Sequence, residues 1–258
     1  MRFNAESSSD GVSERHFALG EVAGVLWSPA GATAGRPLVL LGHGGGQHSA
    51  APGVRARARR YVTGCGFAVA AIDAPAHGDR KRSDDDERFM AEIARLRADG
   101  EAIGPRIARR NAVLASRAVP EWRATLDALQ APDCLGPGRV GFWGVSLGSS
   151  IGIPLAAAEP RITAAIFGLT GHETLAGAAA EITIPVEFLL QWDDELVPRD
   201  SGLALFDAFA SREKTLHANP GRHADIPAFE LESSQRFFTR HLLPDTVSST
   251  AGQLAAEA

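Results

Sequence analysis

Five residues, Gly144-Val145-Ser146-Leu147-Gly148, follow directly on the apolar run Val140-Gly141-Phe142-Trp143, and this junction restricts the chain more than any other stretch. A serine with a glycine two residues away on each side suits a sharp turn from strand to helix. The glycines leave space where a Cβ would strike neighbouring backbone, and the strained turn holds the serine hydroxyl up at the end of its strand. The N–H of Leu147 then opens the next helix, where it can face a developing negative charge. With 27 glycines among 258 residues the pattern alone is weak. It gains force only if an acid and a histidine follow later strands in that order.

A turn of this kind belongs to a parallel sheet, and the chain supplies one. Short apolar runs at Leu38-Val39-Leu40-Leu41, Phe67 to Ile72, Val140 to Trp143, Ile162 to Leu169, Val186 to Trp192 and Lys214 to His217 read as strands covered on both faces. Arg15 to Trp27 alternates apolar and polar residues, as one or two antiparallel edge strands would. Helices are expected over Val54 to Val62, Trp122 to Leu129, Leu147 to Ala157, Leu203 to Ala210 and Ala228 to His241, with Pro154 kinking or shortening the third. Asp79 to Pro120 is long enough for more than one helix. Ser83 and the acids after it look like an N-cap with an acidic first turn, and Phe89, Ile93 and Leu96 form a stripe ending near Gly100. Pro105 can start another helix that runs to about Ser116. The expected fold class is α/β: a mostly parallel central sheet flanked by helices, with an N-terminal antiparallel edge and a helical insertion around 79–120. One domain is expected over 1–258, with its core at about 15–243 and a polar tail at 244–258.

Composition narrows the function classes. A net charge of −5 disfavours a general binder of nucleic acid or of an anionic membrane, either of which wants a basic surface. Cys65 and Cys134 are too few for a disulfide framework or a cysteine-based zinc site. No apolar stretch reaches the ~18 residues of a membrane span, and Met1 to Gly11 lacks the basic-then-apolar order of a signal peptide. The expectation is a cytoplasmic protein.

The first buried run ends in Gly42-His43-Gly44-Gly45-Gly46-Gln47. A dinucleotide-binding loop would need a glycine where Gln47 stands. A metal site from His43, His48, His77 and Asp73 lacks helical ligand spacing. The third reading is an oxyanion loop, in which glycines let a backbone N–H face a substrate carbonyl; Gly45 is the first candidate donor and Gly46 the next.

After Val186 to Trp192 comes Asp193-Asp194-Glu195-Leu196-Val197-Pro198, and after the last strand comes Asn219-Pro220-Gly221-Arg222-His223. A carboxylate at a strand end can accept from a histidine ring and fix its tautomer, although isolated loop acids more often cap turns. A lone loop histidine is usually solvated. Ser146, Asp194 and His223 nevertheless stand in the order nucleophile, acid, base, each after a later strand, as a nucleophile-elbow sheet requires.

On the stretches "LGHGGGQHS", "AIDAPAHGDR", "GFWGVSLG", "DDELVP" and "NPGRH", the chain resembles the α/β-hydrolase superfamily, in its dienelactone-hydrolase-like and serine-esterase branch, over about residues 36–241. The resemblance implies that the acid is Asp194 rather than Asp193, four residues before the proline of a D-x-x-V-P turn. It implies that the histidine is His223 rather than His217, from a P-G-x-H pattern. Dienelactone hydrolases carry cysteine where Ser146 stands, which moves the reading toward a serine esterase acting on a small-molecule ester. The implied chemistry is acyl transfer through a covalent intermediate, with Leu147 and Gly45 as oxyanion donors and no metal or organic cofactor.

Other readings share these residues. A small-peptide peptidase or an acyltransferase uses the same triad, and a non-catalytic binding protein can keep the fold, though such proteins often lose a triad member. Arg80 and Arg222 flank the motif loops, either as surface arginines or as a clamp for a substrate carboxylate. The link Thr170 to Pro185 is too short for a cap domain, so any cover must come from Asp79 to Pro120. Its many charges predict a polar cover and a preference for short esters, acetyl to butyryl.

Overall fold

The computed structural model describes residues 1–31 and 35–243, so the expected tail at 244–258 lies outside the described residues. Nine strands form one sheet: β1 (Arg2–Ser9), β2 (Val12–Leu19), β3 (Val22–Pro29), β4 (Leu38–Gly42), β5 (Ala68–Ile72), β6 (Val140–Gly144), β7 (Ile162–Gly168), β8 (Val186–Gln191) and β9 (Lys214–Asn219). Their order across the sheet is β1-β2-β3-β5-β4-β6-β7-β8-β9. The first three run antiparallel, β3 joins β5 antiparallel, and every pairing from β5 to β9 is parallel. The expected fold class is the observed one.

The near-continuous apolar strands have two faces to fill. In β4, Leu38 and Leu40 enter one core while Val39 and Leu41 enter the other, as the two-residue period demands. One face is covered by α1 (Pro52–Cys65) and α7 (Phe229–Leu242), where Trp27, Tyr61 and Phe238 are buried. The other is covered by α3 (Gly104–Leu129), α4 (Leu147–Ala158), α5 (Ala176–Ala179) and α6 (Arg199–Ala208), over Phe142, Phe167, Phe188 and Phe209. Gly141 is required by this packing, since a Cβ there would meet Phe238 at 2.7 Å. No helix among the described residues is long and apolar enough to cross a membrane.

Three expectations change in detail. The antiparallel edge has three strands; β1 was not anticipated, because all eight of its residues are exposed and leave no apolar alternation to read. The helix expected to stop near Ser116 and the one expected to start at Trp122 are a single 26-residue α3 that runs through Pro120. Proline removes one helical hydrogen bond and crowds the preceding turn, but Ala115, Ala118, Trp122 and Leu126 all bury on the sheet side of this helix, and that burial outweighs the local cost. Pro154 likewise does not shorten α4.

The insertion starts with α2 (Asp84–Ala98). Ser83 caps it: its hydroxyl accepts from the Asp86 N–H while the Asp86 carboxylate accepts from the Ser83 N–H. Ile93 and Leu96 pack with Ile103 in a small core of their own, which Phe89, Ile107 and Leu196 border. Asp86 and Arg110 form a mostly buried ion pair that ties α2 to α3.

Candidate active site

The loops that follow β4, β6, β8 and β9 meet at the C-terminal edge of the parallel strands, where open α/β sheets place their ligands. The turn after β6 has the strain its glycines suggested. Ser146 sits at φ 56° and ψ −118°, a conformation costly for a residue with a Cβ. A Cβ on Gly144 would lie 2.7 Å from the backbone of Gly148, and one on Gly148 would lie 2.4 Å from the Gly42 carbonyl oxygen. The turn is braced by Ser149, whose hydroxyl bonds the Gly144 and Gly168 carbonyls and accepts from the Gly168 N–H, and by the Ser146 N–H donating to Gly168.

His223 bridges the other two residues. Its Nε2 lies 3.0 Å from Ser146 Oγ and its Nδ1 lies 2.8 Å from Asp194 Oδ2. Asp194 is fixed by its other oxygen, which accepts from the N–H groups of Leu196 (2.8 Å) and Val197 (2.9 Å). A carboxylate can only accept, so Nδ1 carries the proton and Nε2 presents its lone pair to the serine hydroxyl. Asp193 instead faces out and accepts from the Gly221 N–H at 3.4 Å. His217 lies elsewhere, against Glu230 beneath α7.

Several supporting residues gave no local signal in the sequence. Glu195 accepts from the His223 N–H at 3.0 Å, and this bond holds its carboxyl below the ordinary glutamate value. From β8, the Gln191 amide donates to the Asp225 carbonyl at 2.8 Å and steadies the histidine loop from below. Glu230, at the start of α7, accepts from Asn219 Nδ2 (2.8 Å) and from His217 Nδ1 (2.9 Å), which clamps the two ends of that loop together. Such contacts join positions far apart in the chain, and only the fold reveals them.

The glycine-rich loop after β4 is anchored by His43. Its Nε2 accepts from the Ala74 N–H at 3.0 Å and its Nδ1 donates to the Gly44 carbonyl at 2.9 Å. Burial pushes its pKa down to about 4, so it works as a neutral strut. Asp73 accepts from the Ser49 N–H at 2.7 Å, and His77 bonds the Pro75 carbonyl. Asp73, His43 and His77 are thus occupied in holding loops, while His48 is exposed.

Gly45, Gly46, Leu147, Ser146 and His223 line one cavity of about 330 Å³. Its far wall comes from α2 and α3, through Phe89, Met90, Ile93, Ile107 and Leu114. The expectation of a polar cover is met only in part: this apolar stripe stands beside Arg82, Asp86, Arg97, Arg110 and Asn111, which line the same cavity from the insertion. A smaller cavity of about 80 Å³ opens on the other side of Ser146 and His223, with Asn111, Thr170, Glu173 and Ser201 in its wall. Arg80 lines neither cavity; both of its terminal nitrogens bond Glu121 at 2.6 Å. Arg222 is exposed and lies 3.4 Å from Glu195.

Neither a protein-family model nor a curated protein sequence matches the chain. Solved structures do. A cold-adapted esterase from an Arctic intertidal metagenomic library, solved with bound polyethylene glycol, is 34% identical, covers 94% of this chain and 100% of its own, and superposes with a TM-score of 0.75. An acetyl xylan esterase from a Paenibacillus species (14% identity, 93% and 88% coverage, TM-score 0.68) shares the fold. So does a dienelactone hydrolase from Anabaena variabilis (21% identity, 89% and 99% coverage, TM-score 0.61). With a relative this similar along nearly the whole of both chains, the protein belongs to the same esterase family as the Arctic enzyme, within the α/β-hydrolase fold.

Proposed function

We propose that this ester hydrolase cleaves small carboxylic esters with Ser146 as nucleophile, His223 as general base and acid, and Asp194 as the group that orients the histidine. The observation that carries the reading is the single imidazole within hydrogen-bond reach of both Ser146 and Asp194 at the floor of a cavity. Similarity to esterases gives the same bond type.

His223 Nε2 takes the serine proton as Oγ attacks the carbonyl carbon. The developing imidazolium is stabilised by Asp194, and the oxyanion by the N–H groups of Leu147 and Gly45. Proton return to the leaving alcohol releases it and leaves an acyl-enzyme. Water, activated by the same nitrogen, then frees the acid. The oxyanion lies at the N-terminus of α4, where the helix dipole adds to the two donors.

Titration with a fluorophosphonate probe tests the reading. The folded protein should be labelled once, at Ser146, and lose p-nitrophenyl acetate hydrolysis in step with labelling. A folded protein that hydrolyses the ester but is not labelled at Ser146 would overturn the assignment; one that neither hydrolyses nor labels would favour a binding protein.

A further inference from the structure

Away from the cavities, beneath α7, two buried carboxylates face one imidazole. Glu187 of β8 is 4% exposed and Glu230 of α7 is 2% exposed, while His217 of β9 keeps 24% of its side chain in solvent. One ligand-type atom from each of the three lies within 4.8 Å of the others. Glu230 is fully engaged, by Asn219 through one oxygen and His217 Nδ1 through the other. Because a carboxylate can only accept, that bond puts the imidazole proton on Nδ1 and turns the Nε2 lone pair toward Glu187.

The contact between His217 and Glu187 is what needs explaining. Nε2 lies 3.7 Å from Glu187 Oε2, too far for a hydrogen bond. The other oxygen, Glu187 Oε1, is buried and has no hydrogen-bond partner among the described residues, a costly state for a carboxylate. Two ligand atoms sharing one transition-metal dication at about 2.1 Å stand roughly 3.4–3.6 Å apart. A carboxylate accepting from the far nitrogen of a metal-bound histidine is the usual outer-shell partner.

We propose that Glu187 and His217 Nε2 bind a divalent cation of the zinc class. Glu230 fixes the imidazole from behind. Imidazole with carboxylate favours such ions over magnesium or calcium. The ion sits between β8 and β9, under the loop whose ends Glu230 holds, and it braces the strand that leads to His223.

The test uses the full-length protein, stripped with a chelator and dialysed against Zn²⁺, with metal content read by elemental analysis. One zinc per chain is expected above background, with Tm rising by about 5 °C or more once Zn²⁺ is in hundredfold excess over Kd. Mg²⁺ should leave Tm unmoved. Glu187→Gln and His217→Asn should each abolish that uptake, whereas His223→Ala should retain it, which separates this site from the catalytic histidine. If the Gln variant does not fold, Glu187→Asp withdraws the carboxylate by one methylene and should weaken binding at least tenfold. No saturable uptake would overturn the proposal. Uptake indifferent to Glu187, or lost with His223, would overturn it as well.

Discussion

Asp193 and Asp194 are chemically identical neighbours whose surroundings give them different work. The buried one has one oxygen fixed by two backbone N–H groups and the other on His223, while its neighbour only meets a loop N–H at 3.4 Å. Asp194→Asn should therefore lower kcat by roughly 10⁴-fold, through loss of the correct imidazole tautomer, while Asp193→Asn stays within about tenfold of the parent. Steady-state rates on a p-nitrophenyl ester check this, and equal losses would mean the histidine is oriented by something else. Ser146→Ala should lose about 10⁴-fold or more with Tm little changed, because alanine keeps the Cβ and with it the same backbone strain. His43 gives a pH prediction. Its folded pKa of about 4 lies below the ordinary 6.5 because of burial, so the unfolded chain binds a proton that the folded chain refuses. Its contribution is complete above pH 6.5 and is lost as pH falls toward 4. His43→Gln, which can still accept from Ala74, should flatten the decline of Tm between those pH values even if its Tm at pH 8 is lower. An unchanged slope would show that other groups, such as His241, whose pKa burial also lowers, set the acid limit. The meeting of Ser146, Asp194 and His223 is legible in the sequence because each follows its own strand, in an order that brings them to one sheet edge. Glu195, Gln191 and Glu230 were not, because each acts through a contact made across at least 11 residues of chain.

Among the elements, the parallel strands β4 to β8 were easiest to read, since burial on both faces writes a continuous apolar run. α3 was misread as two helices because local rules weigh Pro120 heavily and cannot see the sheet beneath Trp122 and Leu126. The same blindness hid the inner face of the insertion. Counting its charges predicts a polar cover, yet Phe89, Met90 and Ile93 line the cavity from α2 alongside Asp86 and Arg97. Burial of a methylene contributes about 0.8 kcal/mol, or roughly fourfold in kcat/KM. Esters should therefore improve from acetyl to about hexanoyl and level off as the 330 Å³ cavity fills. Phe89→Ala should flatten that rise while leaving acetyl turnover within about threefold. A kcat/KM that falls steadily from acetyl onward would show that the acyl chain does not enter this cavity.

Across the whole molecule, the two ends of the sheet carry unequal responsibility. At one end, β1 exposes all eight residues and its pairing with β2 shifts register between Phe3 and Ala5, an irregularity that discourages another strand from adding on. Deleting residues 1–9 should cost little activity at 25 °C, measured on a folded, monodisperse preparation. The other end is occupied by β9, bonded to β8 alone within the sheet, and β9 leads directly into the loop that holds His223. Edge strands fray before central ones. Partial detachment of β9 would carry His223 away from Ser146 while the central strands, and most of the circular-dichroism signal, stayed in place. On warming, catalysis should thus fade reversibly several degrees below the melting temperature: the sheet's last strand makes the enzyme a thermometer whose reading drops before its glass breaks.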